Sequence, residues 1–165
     1  MTVVSHVLIF SYDKFFSYGL KENLPSKDFI FYDLDDTVFF INKMFNLLYP
    51  SAFVLFDDKL ENLGKMIFKG CGCRLLNIND VKLNNIGEVF QRKSKAKITA
   101  IDNQKNIVFF YYFVNMLSYK EISVLTGLSE QRISYLIRMV ARKNKFINKI
   151  MMTNHVYCTN DKNVW

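Results

Sequence analysis

The chain has 165 residues, of which 50% are hydrophobic, and this is enough apolar material for one core or for two small ones. Its formal charge of +7 is unevenly spread: residues 1–91 carry 9 Lys and Arg against 11 Asp and Glu, whereas residues 92–165 carry 13 against 4. A basic segment beside a nearly neutral one favours nucleic acid as a partner, because Lys and Arg replace the counterions condensed on phosphates.

The most apolar run, IVFFYYFVNML over residues 107–117, is much shorter than the roughly 20 residues that cross a bilayer. We therefore expect a core helix there and no membrane partner. The three cysteines, Cys71, Cys73 and Cys158, cannot all pair within one chain, and no signal-like segment precedes TVVSHVLIF. These features predict a reducing, cytoplasmic environment.

The sequence has few residues that could form a catalytic or metal-binding site. His6 and His155 are too few to complete a metal site around Cys71 and Cys73. The sequence has no glycine-rich phosphate loop and no Ser/His/Asp or Cys/His set with evident partners. We therefore expect neither an enzyme nor a bound cofactor or metal.

The first part of the chain alternates between strand and helix patterns. Apolar and aromatic runs predict strands over 6–13, 29–36 and 52–58, with helices over 14–24 and 37–50 between them. Alternating strands and helices imply a parallel sheet, since a helix that crosses over the sheet can connect two parallel strands. The expected fold class of this part is α/β.

The second part has helix signals. Asp102 or Asn103 can cap a helix, and the spacing places four residues on its buried face. These are Ile107, Phe110, Tyr111 and Val114. Ser118 and Glu121 have capping-box spacing at the start of a short helix, and Gly127 suits its end. Its expected apolar face consists of Ile122 and Leu125.

Ser129 can cap a third helix whose apolar and polar residues fall on opposite faces. Its inward residues are expected to be Ile133, Leu136, Ile137 and Val140. Its outward residues are expected to be Gln131, Arg132, Ser134, Tyr135, Arg138 and Arg142. A short helix, a glycine turn and a longer basic helix form a helix-turn-helix, whose second helix enters the DNA major groove. The alternative is an ordinary helical hairpin with a solvated basic face.

Residues 105–149 resemble the four-helix DNA-binding domain of LuxR/FixJ/NarL-type bacterial regulators. The order KEI…LTGLSEQRIS follows that family's K-E-I-A-x-x-L-x-I-S-x-x-T-V-K in register, and Lys105 stands where the first helix usually has Arg. FINK, residues 146–149, resembles the V-x-N-R that opens the family's fourth helix, which commonly makes the dimer contact. The resemblance therefore offers Ile147, Ile150 and Met151 as dimer candidates, although they could equally cover the core.

The sequence also departs from that family. Arg132, Ser134 and Leu136 replace its recognition-helix Thr, Lys and His, and Met116 replaces the glycine before the second helix. The resemblance thus implies DNA binding, with a different base sequence read. The stretch LSYKEISVLTGLSEQRIS also looks like region 4 of bacterial sigma factors, which use the same motif to read a promoter element.

The first part resembles the receiver domain that usually precedes this DNA-binding domain. VLIFSYDKFFSYGL aligns on the family's V-L-I-V-D-D-H-P-L-F-R-E-G-L, GCGCRLLN resembles its fifth strand, and VKLNNIGEVFQ would be its last helix. A working receiver needs an acceptor carboxylate, an acidic pair for Mg²⁺ and a lysine. Asp57, or its neighbour Asp58, occupies the acceptor position, whereas Ser11, Tyr12 and Asn77 replace the pair and the lysine.

The interval between Asp58 and Gly70 has room for only one helix, so the family's third helix and fourth strand are expected to be missing. Asp13 could replace one metal ligand, but a lone carboxylate holds Mg²⁺ poorly. These features predict a shortened, degenerate receiver-like domain that works without phosphorylation.

Candidate DNA contacts cluster around the predicted second and third helices. Base reading is assigned to Gln131, Ser134 and Tyr135, on the exposed N-terminal part of the recognition helix. The residues expected mainly to hold phosphates are Ser118, Lys120, Arg132, Arg138 and Arg142. Ser129 and Lys143 are further candidate DNA contacts.

The two resemblances together imply a receiver-like domain over 1–92, a linker over 93–100 and a LuxR-type helix-turn-helix domain over 101–165. The implied function is transcription regulation on double-stranded promoter DNA in the cytoplasm, as a homodimer or as a heterodimer with a related regulator. Several truncated members of this family act as auxiliary partners that regulate virulence or surface-structure genes. The alternative is a sigma-region-4-like or protein-binding factor acting through RNA polymerase or another regulator.

Overall fold

The computed structural model describes residues 4–24, 27–46, 52–68, 72–81, 86–91 and 103–143. The chain divides into two compact units, Met1–Ile101 and Asp102–Trp165. The predicted linker over 93–100 and the predicted fourth helix, with Ile147, Ile150 and Met151, lie outside the described residues. Within the described part, no helix is both long enough and apolar enough to cross a membrane.

The first unit contains a parallel four-stranded sheet. Its strands are β1 (Ser5–Phe10), β2 (Phe29–Tyr32), β3 (Ala52–Phe56) and β4 (Arg74–Asn77), in the spatial order β2-β1-β3-β4. Every residue of β1 and β3 is buried, as expected for central strands that are covered on both faces. The predicted α/β class with a parallel sheet is confirmed.

Helices follow the strands in alternation: α1 (Lys14–Asn23), α2 (Thr37–Asn46), α3 (Glu61–Phe68) and α4 (Ile86–Gln91). The predicted strand over 29–36 is too long, because the chain leaves the sheet after Tyr32 and makes a 3-10 turn over Leu34–Asp36. The backbone N–H of Asp33 donates to Asp36 Oδ2 at 3.0 Å. Such local side-chain bonds compete with sheet pairing and favour a turn.

The sheet is packed on both faces. On one face, Val7 of β1 belongs to a buried cluster with Leu20 of α1 and Phe90 of α4. On the other face, the Phe10 ring meets the Phe68 ring of α3 edge-on, with centroids 5.6 Å apart. Successive side chains of a strand point to opposite faces, so β1 contributes to both layers.

Helix α3 approaches the sheet closely at Gly64. A Cβ atom at this position would stand 3.1 Å from Phe56 Cδ1 and 3.4 Å from Phe10 Cδ1. Both rings are fully buried and have little room to retreat, so the glycine permits this helix–sheet distance.

β4 pairs directly with β3, with Phe53 opposite Arg74 and Phe56 opposite Asn77. Among the described residues between these two strands, α3 is the one helix and there is no further strand. The expected single helix of this interval is therefore found, while the comparison with a full receiver stays a prediction.

The second unit contains α5 (Asn103–Phe113), α6 (Tyr119–Thr126) and α7 (Glu130–Lys143). Their mutual contacts form a small core with fully or nearly fully buried side chains. Its apolar members are Val108, Phe109, Phe110, Phe113, Val114, Ile122, Ile133, Leu136, Ile137, Val140 and Ala141. The four residues predicted to point inward from α7 are therefore confirmed.

The predicted face of α5 is partly wrong. Phe110 and Val114 are buried, but Ile107 and Tyr111 are only half-buried, while Phe109 and Phe113 are buried in their place. Because this helix is apolar almost all round, its sequence defines no single inward stripe. Asn103 is the first residue of α5 rather than its cap, and Asp102 lies outside the described residues.

The predicted apolar face of α6 is also partly wrong. Ile122 is completely buried, but Leu125 is 58% exposed. Thr126, four residues after Ile122, is half-buried, and its hydroxyl donates to the Ile122 carbonyl at 2.7 Å. In a helix of two turns, the i+4 position lies nearer the inward direction than i+3, so Leu125 is turned toward solvent.

Candidate functional site

Helix α6 begins with a fully formed capping box. The backbone N–H of Glu121 donates to Ser118 Oγ at 3.3 Å, and the Ser118 N–H donates to Glu121 Oε2 at 2.8 Å. The Ser118 hydroxyl also donates to Glu121 Oε2 at 2.7 Å. Hydrogen bonds from the Ser118 side chain and backbone lower the pKa of the Glu121 carboxyl, which favours its charged form. The predicted cap is confirmed.

The turn after α6 is fixed by backbone geometry. Gly127 has φ 72°, in the left-handed region, and its N–H donates to the Ser123 carbonyl at 2.9 Å. The Leu128 N–H then donates to Thr126 Oγ1 at 3.3 Å, and the Arg132 N–H donates to Ser129 Oγ at 3.2 Å. The serine N-cap lies two residues after the glycine C-cap, so α7 starts at Glu130, three residues after Gly127.

Helix α7 separates its residues sharply between inside and outside. Ile133 and Leu136 are 0% exposed and Ile137 is 1% exposed. Of the predicted outward residues, Ser134 is half-buried and the others are exposed: Gln131, Arg132, Tyr135, Arg138 and Arg142. The other predicted DNA contacts are exposed as well: Ser118, Lys120, Ser129 and Lys143. The structure thus places these side chains on the solvent side of α6, α7 and the turn between them.

The outer face of α7 has an excess of positive charge. The helix contains Arg132, Arg138, Arg142 and Lys143, while Glu130 is its one acidic residue. The Arg138 Nε–H donates to its own helix at the Ser134 carbonyl, 3.3 Å away. The guanidinium carbon of Arg132 instead lies 5.3 Å from the centroid of the Tyr135 ring. Two arginines of the same face therefore have different surroundings.

The connection between α5 and α6 has a strained residue. Met116 has φ 55°, and it is the one residue other than glycine with positive φ in the described part of the chain. This conformation costs a residue with a Cβ roughly 1–2 kcal/mol. The backbone here adopts the geometry that a glycine would take more easily, at the position where the resembled family has glycine.

At the carboxyl end of the sheet, Asp57 is held by hydrogen bonds from within the chain. The Ser11 hydroxyl donates to Asp57 Oδ2 at 2.7 Å, and the Leu60 N–H donates to Asp57 Oδ1 at 2.9 Å. Burial raises the pKa of the neighbouring Tyr12 phenol, and the negative charge of Asp57 raises it further. Asp13 has one carboxylate oxygen engaged elsewhere, because its Oδ1 caps α1 by accepting from the Phe16 N–H at 3.0 Å.

Asn77, at the expected lysine position, connects the end of β4 to Asp58 and to the first residue of α3. Its side-chain amide donates to Asp58 Oδ1 at 2.8 Å and to Glu61 Oε2 at 3.0 Å. Asn79 donates from its own amide to Asp58 Oδ2 at 2.9 Å. These neutral amides satisfy the carboxylates without adding positive charge, so they stabilise the loops and offer no countercharge to a phosphoryl group.

Among the described residues, no group of three or more His, Cys, Asp or Glu side chains is placed to hold a metal ion. Cys73 is a buried free thiol, whereas Cys71 and Cys158 lie outside the described residues.

Sequence reasoning missed two arrangements. Lys21 donates to Asp33 Oδ2 at 2.6 Å, and Ser17 donates to the other oxygen of the same carboxylate. Burial alone would raise the pKa of Asp33, but the hydrogen bonds from Lys21 and Ser17 and the nearby positive charge outweigh it, and the pKa is lowered.

The second arrangement that sequence reasoning missed is the contact between Arg132 and Tyr135. Their i, i+3 spacing is the signal that could have indicated it.

Comparison with protein family models, with curated proteins and with solved structures finds no match to this chain. The geometry of the described residues is therefore the basis for a functional proposal.

Proposed function

We propose that this protein is a DNA-binding transcription regulator whose second unit is a helix-turn-helix of the LuxR/FixJ type. The observation that carries the proposal is the outer face of α7, where exposed basic and polar side chains lie opposite the fully buried Ile133 and Leu136. The capped α6, the left-handed Gly127 and the capped α7 supply the local geometry that such a motif requires.

DNA would be held mainly by charge. Arg138, Arg142 and Lys143 lie on the exposed part of α7 at and beyond its midpoint, where side chains of a recognition helix can reach the phosphates that border the groove. Exposed Lys120, in the first turn of α6, adds a further cation. Each phosphate that is neutralised releases condensed counterions, so affinity falls as the salt concentration rises.

The first unit acts in this proposal as a receiver-like module without a phosphorylation switch. Asp57 already accepts hydrogen bonds from Ser11 and from the Leu60 N–H, and Asn77 brings no charge. Transfer of a phosphoryl group depends on metal ions and cations that neutralise the developing negative charge. Control of the regulator is then exerted through its synthesis, its degradation or its choice of partner.

The proposed active form is a dimer, either of two copies or with a related regulator. One helix-turn-helix recognises few base pairs, and two copies on half-sites one helical turn apart supply the missing specificity. Sedimentation of the full chain, alone and with duplex DNA, tests this form. A single copy of the chain in both measurements would exclude the homodimer.

The central experiment measures duplex binding by the full chain from about 50 to 200 mM salt. We expect binding at the lower concentration, with a logarithmic slope that becomes shallower by about one unit in Arg142→Ala. Lys65→Ala is the matched control, because Lys65 is an exposed lysine of α3 that pairs with Glu61 in the first unit. Failure of the full chain to bind any duplex at low salt would refute the proposal.

A second candidate function is a protein-binding auxiliary factor that acts on RNA polymerase or on another regulator. Val124 is 80% exposed and Leu125 is 58% exposed, so α6 presents two adjacent apolar side chains to solvent. Exposed apolar side chains that lie together often mark protein contacts. If Val124→Ser with Leu125→Ser abolished regulation while DNA affinity stayed unchanged, this second function would be favoured.

A further inference from the structure

The first turn of α7 carries an arginine that lies beside an aromatic ring. The Arg132 guanidinium carbon lies 5.3 Å from the Tyr135 ring centroid, and both residues are exposed. Side chains of a helix lean toward its N-terminus, so the ring of Tyr135 reaches back over the turn that contains Arg132. The pair forms at the end of α7 that enters the groove if this helix is a recognition helix.

The contact leaves the hydrogen-bonding groups of Arg132 for other acceptors. The attraction between a cation and a ring acts through charge, so the five N–H donors of the guanidinium are not used up by it. Within the described part of the chain, no carboxylate pairs with Arg132. Attraction between the cation and the ring also restricts the motion of a long side chain, which lowers the entropy lost on binding.

Arg138 has different surroundings from Arg132. Its Nε–H is donated to the Ser134 carbonyl, and it lies nearly two turns further along the helix. This arginine keeps its charge but has one donor engaged by its own backbone. A phosphate, which needs charge more than a particular fork, is the better match for it.

We propose that Arg132 reads a guanine in the major groove of the operator and that Tyr135 is the positioning residue that aims its guanidinium. The inference rests on the proposed DNA-binding function and names the base that the site takes. Guanine presents two acceptors, O6 and N7, on its major-groove edge and matches the arginine fork. Adenine presents a donor beside its N7 and therefore opposes one of the two N–H groups. This proposal reassigns two residues: Arg132 moves from the phosphate contacts predicted from the sequence to base reading, and Tyr135 moves from base reading to positioning.

The test selects bound sequences from a duplex library with a randomised centre, using the full chain. For the wild type, we expect one strongly enriched guanine. In Arg132→Ala, the preference at that position is lost and the other enriched positions remain. Affinity for the best duplex falls about 5- to 150-fold, whereas a duplex with that base pair replaced shows no comparable further loss.

Two variants of Arg132 and Arg138 separate charge from geometry. Arg132→Lys keeps the charge but loses the planar fork, so we expect it to lose most of the guanine preference. Arg138→Ala is the matched control, and it should weaken binding to all duplexes alike while leaving the enriched sequence unchanged.

The role of Tyr135 is measured through Arg132. Tyr135→Phe retains the ring and should retain the guanine preference, whereas Tyr135→Ala should reduce it. In the Arg132→Ala background, Tyr135→Ala should change that preference no further, because a positioning residue acts only through the group that it positions. Additive effects of the two substitutions would show that Tyr135 contacts the DNA independently, and this would overturn its positioning role.

The outcomes distinguish this inference from the function on which it rests. If the wild type binds duplexes and Arg132→Ala leaves the enriched sequence unchanged, Arg132 contacts phosphate and the guanine assignment is wrong, while the proposed function stands. If the wild type binds no duplex at low salt, both are overturned. Since Arg132 and Tyr135 are exposed, unchanged circular dichroism of each variant provides the check on folding.

Discussion

The carboxyl end of the sheet and the outer face of α7 are both rich in polar side chains, but they use them differently. At the sheet, Asp57 and Asp58 accept hydrogen bonds from Ser11, Asn77 and other groups of the same chain. On α7, Arg142 and its exposed neighbours project into solvent. Polar groups that satisfy one another stabilise a fold, whereas an exposed basic face keeps its capacity to bind an external anion.

The largest expected effect tests how the core beneath the basic face is built. Ile122→Ala should lower the free energy of unfolding by about 2–5 kcal/mol, because Ile122 is completely buried. Leu125→Ala is the matched control on the same helix and should change it by less than about 0.5 kcal/mol, since Leu125 is 58% exposed. Urea unfolding followed by circular dichroism measures both. Equal decreases in the free energy of unfolding for the two variants would indicate that Leu125 is buried, as the sequence pattern predicted.

The next effect concerns the backbone before α6. Met116→Gly should raise the free energy of unfolding by about 1 kcal/mol, because glycine adopts the φ of 55° found here without steric cost. Ser118→Ala, two residues later, should lower it by about 1 kcal/mol, because the capping box loses its hydroxyl. The same urea titration compares the two variants. Destabilisation by Met116→Gly would mean that side-chain contacts of Met116 outweigh the strain.

A smaller effect is expected from acid in the first unit. His6 is 4% exposed, and its Nδ1 lies 3.0 Å from the Tyr32 hydroxyl oxygen. Burial lowers the pKa of His6 below its ordinary value of 6.5, and the charge of Lys43 lowers it further. The unfolded chain therefore binds a proton more readily than the folded one, so stability is full above pH 6.5 and decreases as the pH falls below it.

Urea titrations of wild type and His6→Gln at a series of pH values measure this dependence. The variant should show a shallower decrease in the free energy of unfolding between neutral and mildly acidic pH. His155→Gln is the matched control for loss of a histidine. An unchanged slope in His6→Gln would assign the acid sensitivity to other groups.

For phosphorylation of Asp57, we expect no effect. Incubation with a small phosphodonor and Mg²⁺ should leave the intact mass of the protein and its DNA affinity unchanged, since Ser11 and Asn77 supply no countercharge at Asp57. Asp57→Ala serves as the control. Labelling that requires Mg²⁺, disappears in Asp57→Ala and alters affinity would reveal a working switch and remove the contrast between the two regions.

Local signals in the sequence predicted local structure well. Ser118 with Glu121, Gly127 and Ser129 act through neighbours within a few residues, and each is found in its predicted role. Strand ends were predicted less well, because Asp33 and Asp36 turn the chain out of the sheet by a short-range bond that hydrophobic patterning does not register. The buried face of α5 was mispredicted for a different reason: the helix is apolar on nearly all sides, so its sequence has no periodic pattern that indicates which side is buried.

The sequence by itself determined the α/β order of the first part and the helices and turn of the second. Only the tertiary structure decided that β4 pairs directly with β3, that Leu125 faces solvent and that Arg132 lies over Tyr135. The physical reason is the distance along the chain over which each interaction acts. Caps, turns and charge act over a few bonds and can be read along the chain, whereas strand neighbours, burial and the direction of a long side chain depend on which residues the fold brings together.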